Sequence, residues 1–276
     1  MKRMLVALAT SILLAAPLPA VAGPSGERGN AKSQNVEWYL ALGDSLAAGY
    51  QPGAGDDLKG GYAGGVLDGL KADWTKTKLV NLACTGETST EMIVGGDCAY
   101  DEGSQLAAAV QFLKAHKGKV SLVTIDIGAN DYLQCVHVIE GRLEIVPGCL
   151  EVGAGQVVTN LPTILSALNG AAHPDTQIVV ANYYNPLVVA PPLYAELSGT
   201  LVTQLNGYID FTAANGAVVA HVDIAFDVGD PLLAAARICA WTYMCEGPPL
   251  GPDIHPNDDG YAAMAQAILA VVDAPE

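Results

Sequence analysis

The chain has 276 residues, of which 51% are apolar and 15% charged, with 29 acidic side chains against 13 basic ones. Those proportions exclude a disordered or fibrous chain and leave ample apolar sequence for a large core. The formal charge of -16 also argues against a surface that holds nucleic acid or anionic lipid headgroups.

Residues 1–22 read as a secretory signal: Lys2 and Arg3 give a basic start, Met4 to Ala16 an apolar stretch, and Ala20-Val21-Ala22 a small-residue cleavage pattern. The stretch is short and broken by Pro17 and Pro19, which argues against a membrane anchor. Taking Lys2 and Arg3 from the 13 basic residues brings the formal charge to -18. Residues 23–35, rich in Gly, Ser, Asn and charge, form an aperiodic leader. Residues 36–276 are expected to be one domain, secreted, with no later segment long enough to span a bilayer. Six cysteines in an exported chain indicate disulfides, and the sequence alone leaves about 15 connectivities open.

From Val36 onward, apolar runs alternate with helical patterns. The expected strands are Val36–Leu42, Lys78–Ala83, Val120–Ile127, Gln177–Asn182 and Ala217–Asp223. The expected helices are Tyr62–Ala72, Ser104–His116, Leu150–Leu168, Leu193–Ala214 and Asp258–Val272. Strands alternating with helices of this length predict a parallel sheet covered on both faces. The fold class is therefore α/β: one three-layer α/β/α domain, flavodoxin-like, with a central parallel sheet of about five strands.

A parallel sheet brings the ends of its strands to one rim, which is where such folds bind ligands. The first strand ends in Gly43-Asp44-Ser45-Leu46, a sharp turn that presents Ser45 at that rim. The second ends in Asn81-Leu82-Ala83-Cys84-Thr85-Gly86, and the third in Gly128-Ala129-Asn130-Asp131. His255-Pro256-Asn257 precedes the last helix, with Asn257 or Asp258 as its cap, and Pro256 biases His255 towards an extended backbone. A serine needs a base to take its proton, and histidine is the usual one near neutral pH. Ser45 and His255 are the expected pair, while His116, His137, His173 and His221 stand in no motif.

These four motifs, in this order, give the chain its resemblance to the SGNH (GDSL) hydrolase superfamily, secreted esterases and lipases included. The resemblance runs from about Val36 to Ala270. It implies an oxyanion hole made by the backbone N–H groups of Ser45 and Gly86 and the side-chain amide of Asn130. It departs from the family at the acid, because the position three residues before the histidine is Pro252. Asp253, two residues before, reaches the same side of an extended segment, and a main-chain carbonyl near Pro252 is the alternative. Asp253 is the preferred acid. Nearest-neighbour disulfides, Cys84–Cys98, Cys135–Cys149 and Cys239–Cys245, keep each pair inside one loop and follow the local pattern of secreted family members.

Apolar residues after the third and fourth strands, Tyr132, Leu133, Tyr183, Tyr184 and Leu187, are the expected substrate contacts. No metal site or phosphate-binding glycine loop is recognisable, so no cofactor is expected. The resemblance thus implies an extracellular, monomeric serine esterase or lipase that acts on small-molecule or lipid esters through an acyl-enzyme. The alternatives are a polysaccharide acetyl esterase and a catalytically inactive binding module of the same fold.

Overall fold

The computed structural model describes residues 37–71, 74–139, 142–227 and 229–273. The expected signal segment 1–22 and leader 23–35 lie outside the described residues, as do Val36 and Ala72. In chain order, β1 (Trp38–Gly43), α1 (Ser45–Ala48), α2 (Gly61–Leu70), β2 (Lys78–Asn81), α3 (Ser89–Val94), α4 (Gln105–Ala115) and β3 (Val120–Asp126) form the first half. Then come α5 (Asn130–Leu133), the strands β4 (Val136–Ile139) and β5 (Arg142–Ile145), α6 (Cys149–Ala171), β6 (Gln177–Ala181) and α7 (Pro192–Ala213). The chain closes with β7 (Val218–Ala220), α8 (Val222–Phe226), α9 (Pro231–Trp241) and α10 (Asp258–Leu269).

The main sheet has the order β2-β1-β3-β6-β7, and every neighbouring pair is parallel. This is the flavodoxin-like order, whose switch point lies between β1 and β3. Side chains on both faces of β3 are buried along its whole length, as a strand covered by two helical layers requires. Helix α2 packs against α10, while α4, α6 and α7 pack in series. A single core runs through both layers, from Tyr62 and Val66 of α2 to Leu161 and Ile164 of α6.

One expectation is corrected and one element is added. The apolar run Ala217–Asp223 is not strand throughout: β7 stops at Ala220, and Val222 begins α8, whose Val222 and Phe226 are buried. An antiparallel hairpin, β4–β5, stands outside the main sheet, and its base is joined by Cys135–Cys149. The other two disulfides are Cys84–Cys98 and Cys239–Cys245. A closed loop of about 15 residues, the size of those closed by Cys84–Cys98 and Cys135–Cys149, stabilises a fold by about 3 kcal/mol in the chain-entropy picture.

Candidate active site

The site starts at the end of β1. Gly43 has φ +136, and a Cβ there would collide with the Asp126 carbonyl oxygen, so both conformation and space call for glycine. The buried side-chain amide of Gln105 accepts from Gly43 N–H at 2.7 Å and donates to Gly43 C=O at 3.0 Å. The turn is thereby held on both backbone groups. Asp44 then caps α1 by accepting from Leu46 N–H at 3.0 Å, which makes Ser45 the first residue of a helical turn. A first-turn N–H has no partner within its own helix. Ser45 N–H makes no hydrogen bond among the described residues.

His255 reaches this serine from a different element. Its backbone C=O accepts from Tyr243 N–H at 3.1 Å, Asp253 N–H donates to Tyr243 C=O at 3.1 Å, and Asn257 N–H donates to Trp241 C=O at 3.0 Å. The segment 253–257 is thus laid along 241–243, a stretch enclosed by Cys239–Cys245. Asn257 caps α10 by accepting from Gly260 N–H at 3.1 Å. The result is a chain of three side chains: His255 Nε2 lies 2.8 Å from Ser45 Oγ, and His255 Nδ1 lies 2.6 Å from Asp253 Oδ1. Asp253 Oδ1 also accepts from His255 N–H at 2.9 Å. The Tyr50 ring, with its centroid 4.6 Å from that of His255, packs against the imidazole.

Asn130 is the first residue of α5 and lines the same cavity as Ser45 and His255. One hydrogen of its amide goes to Glu87 C=O at 3.1 Å, which leaves the other free. Gly86 sits two residues after Cys84, whose N–H bonds Gly43 C=O at 3.1 Å, so its turn is tied to the serine strand. Gly86 has φ +88 and is not part of the cavity wall. Asp131 couples the two loops: its carboxylate accepts from Ser89 N–H at 2.8 Å and Ser89 Oγ–H at 2.7 Å.

Below the serine lies a polar layer that sequence reasoning missed. Asp126 accepts from Asp44 N–H at 3.2 Å and from the Tyr62 hydroxyl, and Tyr183 donates to Asp44 Oδ2 at 2.8 Å. Burial and the neighbouring Asp44 carboxylate push the Asp126 carboxyl well above the usual range. Burial also raises the Glu87 carboxyl to about 7, with Glu91 and Asp44 adding to the shift. Of these residues only Asp44, in the serine turn, and Tyr183, as an expected substrate contact, were marked in the sequence.

The cavity beside Ser45 is lined by Tyr132, Leu133, Tyr183, Tyr184 and Leu187, the five residues expected from sequence, and also by one face of α7. The hydroxyl of Tyr183 is engaged by Asp44, and that of Tyr184 donates to Ile254 C=O at 2.6 Å. Both rings therefore offer the cavity apolar surface. Among the described residues one cluster has ligand-type side chains within reach of a metal, Cys84, Glu87 and Cys98, and both sulfurs are in a disulfide. No helix among them is long and apolar enough to cross a membrane.

An α/β sheet with a serine, an imidazole and a carboxylate in one hydrogen-bonded line at its rim is equipped for acyl transfer. The chain belongs to the GDSL-like lipase/acylhydrolase family, whose model matches residues 41–263, and it is accordingly a carboxylic ester hydrolase. Solved structures share the fold at low identity. The lipase Lip_vut3 from a goat rumen metagenome is 18% identical, with a TM-score of 0.56 over 87% of this chain and 99% of that one. An extracellular lipase from Streptomyces rimosus is 20% identical, with a TM-score of 0.56 over 86% and 100%. Axe2, an acetylxylan esterase from Geobacillus stearothermophilus, is 16% identical, with a TM-score of 0.56 over 85% and 93%. No curated relative matches the chain.

Proposed function

We propose that this protein is a secreted serine esterase or lipase that cleaves acyl esters through a covalent acyl-enzyme at Ser45. The observation that carries the reading is the 2.8 Å and 2.6 Å chain from Ser45 Oγ through the His255 ring to Asp253. His255 Nε2 takes the serine proton as Oγ attacks the ester carbonyl, and the imidazolium that forms faces the Asp253 carboxylate. Charge then develops on the carbonyl oxygen. Ser45 N–H, Gly86 N–H and the free amide hydrogen of Asn130 are the donors for it, none of them needing a proton to be gained or lost. The imidazolium returns its proton to the leaving alcohol. A water activated by His255 then releases the acid and restores Ser45.

Export through removal of residues 1–22 and action outside the cell belong to the same proposal and are supported by three disulfides; action as a monomer is part of it too. The apolar wall favours an acyl ester over an acetylated sugar polymer as substrate. A fluorophosphonate probe tests the assignment. It is expected to label Ser45 stoichiometrically, and Ser45→Ala is expected to abolish labelling and turnover of p-nitrophenyl esters. Full activity in Ser45→Ala, with labelling at another serine, would overturn it.

A further inference from the structure

Helix α7 changes character halfway along. Its C-terminal half carries a buried stripe, Leu205, Ile209 and Ala213. The same face continues towards the N-terminus as Tyr194, Leu197, Ser198, Leu201 and Val202, at helical spacing, but each of these is only half-buried. All five line the cavity that contains Ser45 and His255. The lower end of the stripe is fixed at the rim. A Cβ placed on Gly128 would lie 3.1 Å from Leu205 Cδ1, and Asn206 exchanges hydrogen bonds of 3.0 and 2.8 Å with the backbone of Tyr183, just after β6. From there the stripe continues towards Tyr194 along the wall of the cavity that holds Ser45.

Val136 and Ile145 of the hairpin line the same cavity. They are cross-strand partners, so their side chains share one face of the ribbon. Polar atoms are withdrawn from the α7 wall: Ser198 Oγ–H donates to Asn185 Oδ1 at 2.7 Å. An apolar stripe left half-covered, opening from a reactive serine, is completed by an apolar part of the substrate.

We infer that the stripe Leu205–Leu201–Leu197–Tyr194 is a ruler for the acyl chain, and that the substrates are medium- to long-chain acyl esters. This deepens the acyl-enzyme reading and rests on it. The eleven residue-to-residue steps from Leu205 to Tyr194 span about 16 Å at about 1.5 Å each. An extended hydrocarbon advances about 1.3 Å per carbon, so the wall covers about twelve carbons. Leu201 stands about 6 Å along, at about the fifth carbon, and Leu197 about 12 Å along, at about the ninth.

The test is a p-nitrophenyl ester series from acetate to palmitate, with active sites titrated by fluorophosphonate. For the parent, kcat/KM is expected to rise by about thirtyfold or more from acetate to decanoate, as methylenes leave water, and to stop rising near laurate. Leu201→Trp is expected to move the break to about butyrate or hexanoate, and Leu197→Trp to about octanoate or decanoate, judged by ratios of chain lengths within each variant. Thr203→Trp, on the exposed opposite side of α7, controls for the added bulk and should keep the parent profile. A parent profile that peaks at acetate, or tryptophan variants whose breaks do not move in that order, would overturn the ruler while leaving the acyl-enzyme intact. Absence of serine labelling and of turnover on every ester would instead overturn the acyl-enzyme reading, and the ruler with it.

Discussion

The side chains of His255 and Asp253 are 15% and 28% exposed, whereas Asp126 and Asp44, on the other side of Ser45, are 0% and 2% exposed. Both clusters hold carboxyl groups within reach of the serine turn, yet their surroundings give them different work. Asp253 faces an imidazole, and the line it forms ends on the Ser45 hydroxyl. Asp126 faces another carboxylate in a buried layer, and burial together with that neighbouring charge raises its carboxyl well above the usual range. In the proposed mechanism the more exposed cluster moves protons, while the buried one holds the backbone from which Ser45 projects. Replacements in the first should therefore appear in kcat, and those in the second in stability.

The largest effect is expected from Asp253→Ala. If its carboxylate orients the His255 ring and stabilises the imidazolium, kcat should fall by about a thousandfold or more while the melting temperature stays near that of the parent. A folded variant within tenfold of the parent would leave Ser45 and His255 as a dyad and remove Asp253 from the exposed cluster. Asn130→Ala comes next, with an expected loss of about a hundred- to a thousandfold in kcat for one oxyanion donor. An effect confined to KM would assign Asn130 to binding instead.

Much of this contrast is legible in the sequence, but unevenly. Strands β1, β3 and β6 announce themselves as apolar runs, and their ends carry Ser45 and Asn130, so sheet order alone gathers those residues at one rim. The line through His255 was readable because Pro256 and Asn257 fix where α10 starts. The buried layer was not readable: Tyr62, Gln105 and Asp126 come from α2, α4 and β3, and only tertiary packing joins them. The β4–β5 hairpin was missed because each of its strands is only four residues long. The α7 stripe did carry a signal in its spacing. What the spacing could not reveal is which half of it lies under the core and which is left open beside the serine.

Tyr62→Phe probes the buried side. It deletes the hydroxyl that donates to Asp126 and leaves that carboxyl one partner short, so a loss of about 1–2 kcal/mol is expected. For a domain of this size that is a drop of several degrees in melting temperature, with kcat changed less than tenfold. A large kcat loss without destabilisation would break the division between the two clusters.

Glu87 gives the comparison a pH signature. It is 3% exposed, and its carboxyl is raised from 4.5 to about 7, mainly by burial. Between those two values the folded chain holds a proton that the unfolded chain has released, so stability falls as pH rises through that window. Below 4.5 both states are protonated, and above about 7 the destabilisation is complete. Glu87→Gln removes the linkage. Its melting temperature relative to the parent should climb between pH 5 and 8 and then level off. A difference that stays constant with pH would show that burial does not raise this carboxyl.

The smallest effect is expected at Tyr132, which lies on the border between the two environments. Its ring is 5% exposed and lines the cavity, but its hydroxyl is buried and has no hydrogen-bond partner among the described residues. Burial accordingly pushes that hydroxyl up to about 12. A buried polar atom without a partner costs about 1–3 kcal/mol, and replacing it with hydrogen removes that cost while keeping the ring. Tyr132→Phe should therefore hold or raise the melting temperature by a few degrees and leave the ester profile within about twofold of the parent, since the aromatic face on the cavity is unchanged. Denaturation curves on the two proteins, followed by decanoate hydrolysis, decide it. A destabilised variant, or one that loses long-chain turnover, would mean that the hydroxyl has a partner in the working enzyme and would move Tyr132 from the apolar wall into the polar network.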